Sequence, residues 1–362
     1  MPTFAAVSRL SKTVFLAPRS CVARAYSSKA PHPGYAFAFD IDGVLIKGSR
    51  TIPEARKALR LLNGDNAAKR QVPFILLTNG GGVTEAAKAE QISQMLDVEI
   101  LPDQVVLSHT PMQSLVPKYK DKRVLVVGGK DRSCYEVAKG YGFNDVVIPD
   151  DIHQWDPTVW PFRASERNSA VDIKGDMQFN AVLMFHDSRD WGRDLQIVMD
   201  VLYADQGRVG TQKQDCSVQD TPLYFSNNDI IWSTDFPVPR IGQGAFKKAL
   251  ESLYSTLTGH NLQSTSFGKP HAAMYAYAER VLSNLRGFES SSKRPRVYAV
   301  GDNPAADIRG ANDYGWNSIL VRTGVFRESG NSKEFPANKV CDHVEEAVEW
   351  VIRKEEEGNV GA

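Results

Sequence analysis

The chain has 362 residues, 42% hydrophobic and 24% charged, and its 43 Lys and Arg are balanced by 43 Asp and Glu. That neutrality removes the electrostatic basis for a nucleic-acid-binding protein, and the length allows roughly two domains. No stretch approaches the apolar length of a membrane-crossing helix. The four cysteines, Cys21, Cys134, Cys216 and Cys341, lack metal-like spacing and read as reduced thiols.

In chain order, the first feature is a charge asymmetry. Residues 1–39 contain no acid and carry Arg9, Lys12, Arg19, Arg24 and Lys29 among many Ser and Ala. At helical spacing, Phe4, Val7, Leu10 and Val14 make an apolar stripe. This is the composition of a mitochondrial transit peptide, and Arg24-Ala25-Tyr26-Ser27-Ser28 resembles a matrix processing site. A disordered basic tail is the alternative. Residues 1–34 are therefore set apart from the folded part, and the expected location is mitochondrial, in the matrix.

The following segments alternate. Strands are expected at Tyr35–Phe39, Val72–Leu77, Val124–Val127, Ala181–Phe185, Val297–Val300 and Ser318–Val321. Helices are expected at Glu54–Leu62, Glu85–Leu96, Arg193–Tyr203, Gly244–Leu257, His271–Leu285, Ala305–Tyr314 and Glu345–Arg353. Ser290–Pro295 reads as an exposed loop and residues 354–362 as a fraying tail. Alternating strands and helices predict an α/β fold with a parallel sheet. Gly128-Gly129-Lys130 has the wrong spacing for a P-loop and reads as a turn.

Three strands end on polar clusters: Asp40-Ile41-Asp42-Gly43, Thr78-Asn79-Gly80 and Gly301-Asp302-Asn303. Ligands bind beyond the carboxyl ends of strands in open α/β sheets, so these clusters are expected to converge. Asp40 and Asp42, at i and i+2, point to the same side of extended chain. One carboxylate can attack phosphorus, and its neighbour can protonate the leaving oxygen and then activate water. Taken alone, this stretch is equally a calcium loop or a turn. Thr78 Oγ and the Asn79 N–H suit a phosphoryl oxygen. Lys269, in Gly268-Lys269-Pro270, offers an ammonium that neutralises nucleophile and phosphate. Pro270 is expected to begin the next helix. Asp302 completes an oxygen site for a hard cation, with Asn303 and Asp307 in support. Few carboxylates, several waters and a substrate phosphate suit magnesium.

Together these residues resemble the haloacid dehalogenase superfamily of phosphotransferases, in the order Asp40/Asp42, Thr78, Lys269, Asp302/Asp307. The large insertion between the second and third motifs resembles class IIA. Ser108-His109-Thr110-Pro111, Tyr224 to Trp232, Arg240 to Phe246 and Tyr314 to Ser318 resemble the cat-eye-syndrome-critical-region protein 5 family, particularly its fungal mitochondrial members. The resemblance implies a Rossmann-like core at 35–107 and 267–353 and an α/β cap at 108–266. It implies Asp40 as nucleophile and magnesium ligand. Asp42 is implied as acid/base and as a ligand through its backbone carbonyl, and Thr78 and Lys269 as phosphoryl binders. Asp302 is implied as a ligand, with Asp307 behind it.

The cap would choose a small phosphorylated substrate, with Asp187, Arg189 and Asn228 as specificity candidates beside His186, Trp191, Asn227 and Asp229. Relatives of this class often pair through their caps, so a homo-oligomer is allowed. Two alternatives stand beside the metabolite phosphatase. One is a non-catalytic mitochondrial partner protein, motivated by the Trp- and Pro-rich Trp155–Phe162 insertion. The other is a phosphatase of glycerophospholipid metabolism, which would show an apolar channel at the mouth of the site.

Overall fold

A computed structural model describes residues 33–162, 177–285 and 295–360. The expected presequence up to residue 32 and the loop expected at Ser290–Arg294 lie outside the described residues.

The chain opens with the buried strand β1 (Tyr35–Phe39) and a short hairpin, β2 (Ile46–Lys47) and β3 (Arg50–Thr51). Then follow α1 (Ala55–Leu62), β4 (Phe74–Leu77), α2 (Glu85–Leu96) and β5 (Val105–Val106). The inserted layer comprises α3 (Val116–Tyr119), β6 (Val124–Val127), α4 (Ser133–Tyr141), β7 (Val146–Val147), α5 (Pro149–Trp155), β8 (Ala181–Met184) and α6 (Trp191–Tyr203). It continues through β9 (Leu223–Phe225), the hairpin β10 (Ile231–Trp232) and β11 (Arg240–Ile241), α7 (Gln243–Thr258) and β12 (Thr265–Ser266). The chain then returns through α8 (Ala272–Leu285), β13 (Arg296–Gly301), α9 (Arg309–Tyr314), β14 (Asn317–Val321), β15 (Lys339–Cys341) and α10 (Val344–Val360).

Two parallel sheets result, the first ordered β15-β14-β13-β1-β4-β5 and the second β12-β9-β8-β6-β7. Parallel sheets need both faces covered, and β1 shows how the sequence provides this. Tyr35, Phe37 and Phe39 point into one core with α1, α2 and α10. Ala36 and Ala38 point into the other, where α8 supplies Met274, Tyr275, Ala278 and Leu282. In the first sheet the strand order runs one way from β1 through β4 and the other way through β13. The switch point at the carboxyl ends of β1 and β13 is where a ligand crevice forms. Among the described residues no helix is long and apolar enough to cross a membrane. Cys134, Cys216 and Cys341 are free thiols.

The structure corrects several expectations. Residues 354–360 are not a tail: α10 runs to Val360, and buried Glu355 accepts hydrogen bonds from the Tyr298 hydroxyl (2.6 Å) and from Arg296. The helix expected at Ala305–Tyr314 begins instead with a π-helical turn, Pro304–Ile308. Pro270 is not helical; α8 starts two residues later, after a cis Lys269–Pro270 peptide. The short strands β5, β7, β9, β12 and β15 and the helices α4 and α5 had not been assigned. Two- and three-residue strands carry too little periodicity to be read alone.

Arg296 is largely open to solvent, so its ion pair contributes little. Removing Glu355 strands the buried Tyr298 hydroxyl instead. Glu355→Ala is expected to lower unfolding stability by about 1–3 kcal/mol, read from urea denaturation; an unchanged midpoint would return 354–360 to the status of a tail.

Candidate active site

Register brings the polar clusters together. Phe39 pairs with Val300 and Leu76, so Asp40, Thr78 and Asp302 emerge at the same sheet edge. The Asp40 N–H donates to Val300 O at 2.9 Å, fixing the turn. Gly43 turns the chain at φ +93°, where a side chain is strained. A Cβ there would overlap the Asp302 carboxylate and come within 2.9 Å of Gly324 Cα. Glycine is therefore required both for the turn and for the close approach of β1 and β13.

Lys269 is the central cation. Its Nζ donates to Asp40 Oδ1 at 2.7 Å, to Asp307 Oδ1 at 2.5 Å and to Leu77 O at 2.8 Å, and the residue is only 3% exposed. Burial alone would lower its pKa, but Asp307 and Asp40 raise it, so the ammonium stays charged. Asn79 clasps the lysine backbone from both sides: Lys269 N–H donates to Asn79 Oδ1 (2.8 Å), and Asn79 Nδ2 donates to Lys269 O (3.0 Å). The Asn79 side chain thus positions the lysine, a role not expected from the sequence.

Asp40, Asp302 and Asp307 each offer a carboxylate oxygen within 4.8 Å of the others, and all three are buried. Burial, and after it the neighbouring carboxylates, push Asp40 up to about 7 against the pull of Lys269. Burial, then Asp40 and Asp307, raise Asp302 well above its usual range. Such a donor set fits a hard divalent cation, which would relieve both repulsion and desolvation.

Asp307 has both oxygens engaged, one by Lys269 and the other by the Asp302 and Asn303 N–H groups at 3.1 and 3.0 Å. The oxygens left for a cation are thus on Asp40 and Asp302. One Asp302 oxygen is already held by the Val325 N–H at 2.6 Å. Asn303 caps the turn that carries Asp307, accepting from Ala305 and Ala306 N–H.

Asp42 and Thr78 line the same cavity, of about 300 Å³. The Asp42 carboxyl is raised by burial and pulled back by Lys88 and Lys269. Thr78 Oγ1 accepts from the Gly80 N–H at 2.9 Å. An added Cβ on Gly80 would lie 3.3 Å from that oxygen and 3.5 Å from Asp42 Oδ2, so the hydroxyl and the second carboxyl share one wall.

The inserted layer roofs this cavity, and here the specificity candidates divide. Asp187 and His186 line it, as do Asn227 and Asp229. Asn227 Nδ2 donates to Asn79 O at 3.0 Å, a direct bond from cap to core. Burial raises Asp229 to about 7. Arg189 does not reach the cavity; it is exposed beside a separate depression with Gly128, Gly129 and Trp191. Asn228 points away as well, held by Ser266 Oγ (2.9 Å), Lys247 Nζ (3.2 Å) and His271 Nε2 (2.6 Å). Asn227 Oδ1 accepts from the Asp229 N–H at 3.1 Å, an Asx turn in which Asn227 and Asp229 line the cavity and Asn228 does not. Trp191 packs on Phe246 rather than at the site.

The sequence reading missed Lys88 and Gln91 of α2, and Trp232, Ser233 and Gln243 of the cap, all at the cavity wall. Among the described residues the buried Ser233 hydroxyl has no partner. Lys88, Gln91 and Ser233 carry no motif, and although Trp232 and Gln243 fall in segments that carry the family resemblance, only the packing of the cap puts them at the cavity.

A covered parallel-sheet core with a second α/β layer inserted over its carboxyl edge, closing on four aspartates and one lysine, defines a capped, Rossmann-like α/β architecture. Comparison with known proteins gives the family. A model described as haloacid dehalogenase-like hydrolase matches residues 37–144, and one described as HAD-hydrolase-like matches residues 266–347. The chain is 40% identical over 345 residues to the mitochondrial hydrolase YKR070W of Saccharomyces cerevisiae, an alignment spanning 88% of this chain and 96% of that protein. It is 42% identical over 334 residues to a cardiolipin synthase (CMP-forming)/mitochondrial hydrolase fusion protein of Schizosaccharomyces pombe, covering 91% of this chain and 55% of the fusion.

Solved structures with the same fold include hypothetical protein PH1952 of Pyrococcus horikoshii (TM-score 0.61, 20% identity, 88% of this chain and 99% of that one). The p-nitrophenyl phosphatase of Archaeoglobus fulgidus is another (TM-score 0.57, 17% identity, 88% and 100%). The chain belongs to the haloacid dehalogenase-like hydrolases, class IIA.

Gly43→Ala tests the packing of the site. It is expected to cost about 1–3 kcal/mol from positive-φ strain and the clash with Asp302, read from urea denaturation. A variant as stable as wild type would mean that β1 and β13 do not approach so closely.

Proposed function

We propose that this protein is a magnesium-dependent phosphatase that forms an aspartyl-phosphate on Asp40. The observation that carries the reading is the Lys269 ammonium, 2.7 Å from Asp40 and 2.5 Å from Asp307, in a cavity also lined by Asp42, Thr78 and Asp302. Membership of the hydrolase family supports it.

In the first step an Asp40 carboxylate oxygen attacks the substrate phosphorus. An acyl–phosphate bond forms, the ester P–O bond breaks, and the leaving oxygen takes a proton from Asp42. In the second step Asp42 removes a proton from water, which attacks the phosphorus; inorganic phosphate leaves and Asp40 is restored. Burial raises the Asp42 carboxyl, which suits a group that must hold a proton in one step and release it in the next. Lys269 pulls the nucleophile toward its ionised form against burial and the other carboxylates, and meets the charge on the phosphoryl oxygens. Thr78 Oγ1 and the turn N–H groups after it orient those oxygens. Magnesium, held by Asp40, Asp302 and the Asp42 carbonyl with Asp307 behind them, would neutralise phosphoryl charge. The cap, through Asp187, Asn227 and Asp229, would face the leaving group of a small phosphorylated substrate.

The proposed core is 35–107 and 267–360, since α10 runs to Val360, and the proposed cap is 108–266. The proposed mitochondrial location is supported by the acid-free N-terminus and by the naming of the yeast relative as mitochondrial. The non-catalytic alternative rests on the Trp155–Phe162 insertion, where Trp155 and Phe162 are exposed. A full set of charged groups around one cavity favours catalysis.

With p-nitrophenyl phosphate, Asp40→Asn and Asp42→Asn are each expected to lower kcat/KM by roughly three orders of magnitude. Chelation should abolish turnover, and added magnesium should restore it. Arg189→Ala should leave kcat/KM within about twofold, because the side chain lies outside the cavity. Undiminished turnover in Asp40→Asn would refute the reading.

A further inference from the structure

Half of the large hydrophobic side chains that stand exposed among the described residues fall in one short segment: Ile230, Ile231, Phe236, Val238 and Ile241. They belong to the β10–β11 hairpin and its loop. Ile231 and Ile241 face each other across the hairpin, and Phe236 and Val238 at its tip are each 53% exposed. Single exposed apolar residues need no explanation, but a contiguous group marks an interaction surface.

Its surroundings narrow the partner. Arg240 stacks over the Phe236 ring at 4.3 Å. Arg327, from the core, donates to Pro237 O at 3.1 Å. Lys47 stands close enough to Arg327 and Arg50 that they, after burial, lower its pKa. Among the described residues Lys47, Arg240 and Arg327 make no ion pair, whereas the single acid of the tip, Asp235, is taken up by Ser49 and Arg50. The outward face is therefore apolar and cationic, the composition of a surface that lies on an anionic bilayer. A second copy fits it poorly, since a two-fold contact sets a patch against itself and would juxtapose unpaired cations.

The position also matters. Ile231, Trp232 and Ser233 of this hairpin, with Gly48 of the core hairpin, line the cavity that holds Asp40. Whatever the hairpin lies on is at the mouth of the site.

We infer that the 230–241 hairpin, with Lys47, Arg240 and Arg327, docks on an anionic lipid surface and opens the cavity toward phosphomonoesters carried by the lipid. The docking stands on its own; the substrate class rests on the phosphatase reading above. Asp235, clasped by Ser49 and Arg50, holds the hairpin tip against the core, so the surface is presented in a fixed orientation.

The test uses the full chain with vesicles of phosphatidylcholine alone or mixed with phosphatidic acid. The basic N-terminal segment attracts such vesicles by itself, so the readout must be local: amide hydrogen exchange across residues 230–241. Anionic vesicles are expected to slow this exchange roughly tenfold, neutral vesicles to leave it unchanged, and salt to weaken the effect. The double substitution Phe236→Asp with Val238→Asp, and separately Arg240→Glu, should remove the protection and slow phosphate release from vesicle-borne phosphatidic acid. Turnover of p-nitrophenyl phosphate should stay at the wild-type rate, because none of these residues lines the cavity.

Wild-type exchange that ignores anionic vesicles, with p-nitrophenyl phosphate still hydrolysed, overturns the docking and leaves the phosphatase intact. A protected hairpin in a protein that hydrolyses neither substrate upholds docking and removes the phosphatase reading. Protection that rises with protein concentration without vesicles, with a doubled mass by light scattering, assigns the patch to a second copy and overturns the inference.

Discussion

The structure turns on an electrostatic problem solved at one point. Register at the carboxyl ends of β1 and β13 forces Asp40, Asp302 and Asp307 within a few ångströms of one another and away from water. Carboxylates so placed destabilise one another unless protonated or paired with a cation. Lys269 supplies one positive charge to two of them, while backbone N–H groups serve Asp302 and the second oxygen of Asp307. The remaining deficit, on Asp40 and Asp302, is what a divalent cation and a phosphoryl group would together satisfy on the proposed reading. Gly43, with no side chain, makes the approach possible.

The lysine arrives from the far end of the inserted layer, so the site is completed only once that layer has folded back. Asn79 ties these events together: its side chain clasps the Lys269 backbone, and its carbonyl accepts from Asn227 of the cap. A second tether crosses at α4, where Tyr141 donates to Glu85 at 2.6 Å and meets His109 Nδ1 at 2.8 Å. Because the tyrosine proton goes to Glu85, His109 Nδ1 carries the hydrogen, and burial holds the ring neutral by lowering its pKa to about 4. Buried bonds from cap to core fix one geometry, which suits a roof that must sit over Asp40 at a set distance.

Much of the fold and of the cavity's charged group was legible in the sequence, for physical reasons. The β1, β4, β6 and β8 strands are short apolar runs that only a doubly covered sheet explains. The strands β1, β4 and β13 stop at polar residues, so Asp40, Thr78 and Asp302 could be gathered by the switch-point rule from the sequence. Less was legible in the cap. Asn228 sits between two residues that face the cavity, and a loop has no fixed period from which its direction can be read. Arg189 is charged and only two residues beyond Asp187, which lines the cavity, yet it is exposed outside it, and nothing in the sequence separates the two. Lys88 and Gln91 lie on a helix whose alternation signals burial alone. Glu355 looked like part of a solvated acidic run; its partner Tyr298 is 57 residues away.

The most direct test of the account is to find the residue that carries phosphate during turnover. Protein quenched while hydrolysing p-nitrophenyl phosphate with magnesium can be reduced with borohydride, which converts an acyl-phosphate to an alcohol, and the peptides weighed by mass spectrometry. The account predicts homoserine at position 40 and nowhere else, and none in Asp40→Asn. Phosphate release with no reducible acyl-phosphate, or with the label on another residue, would contradict it.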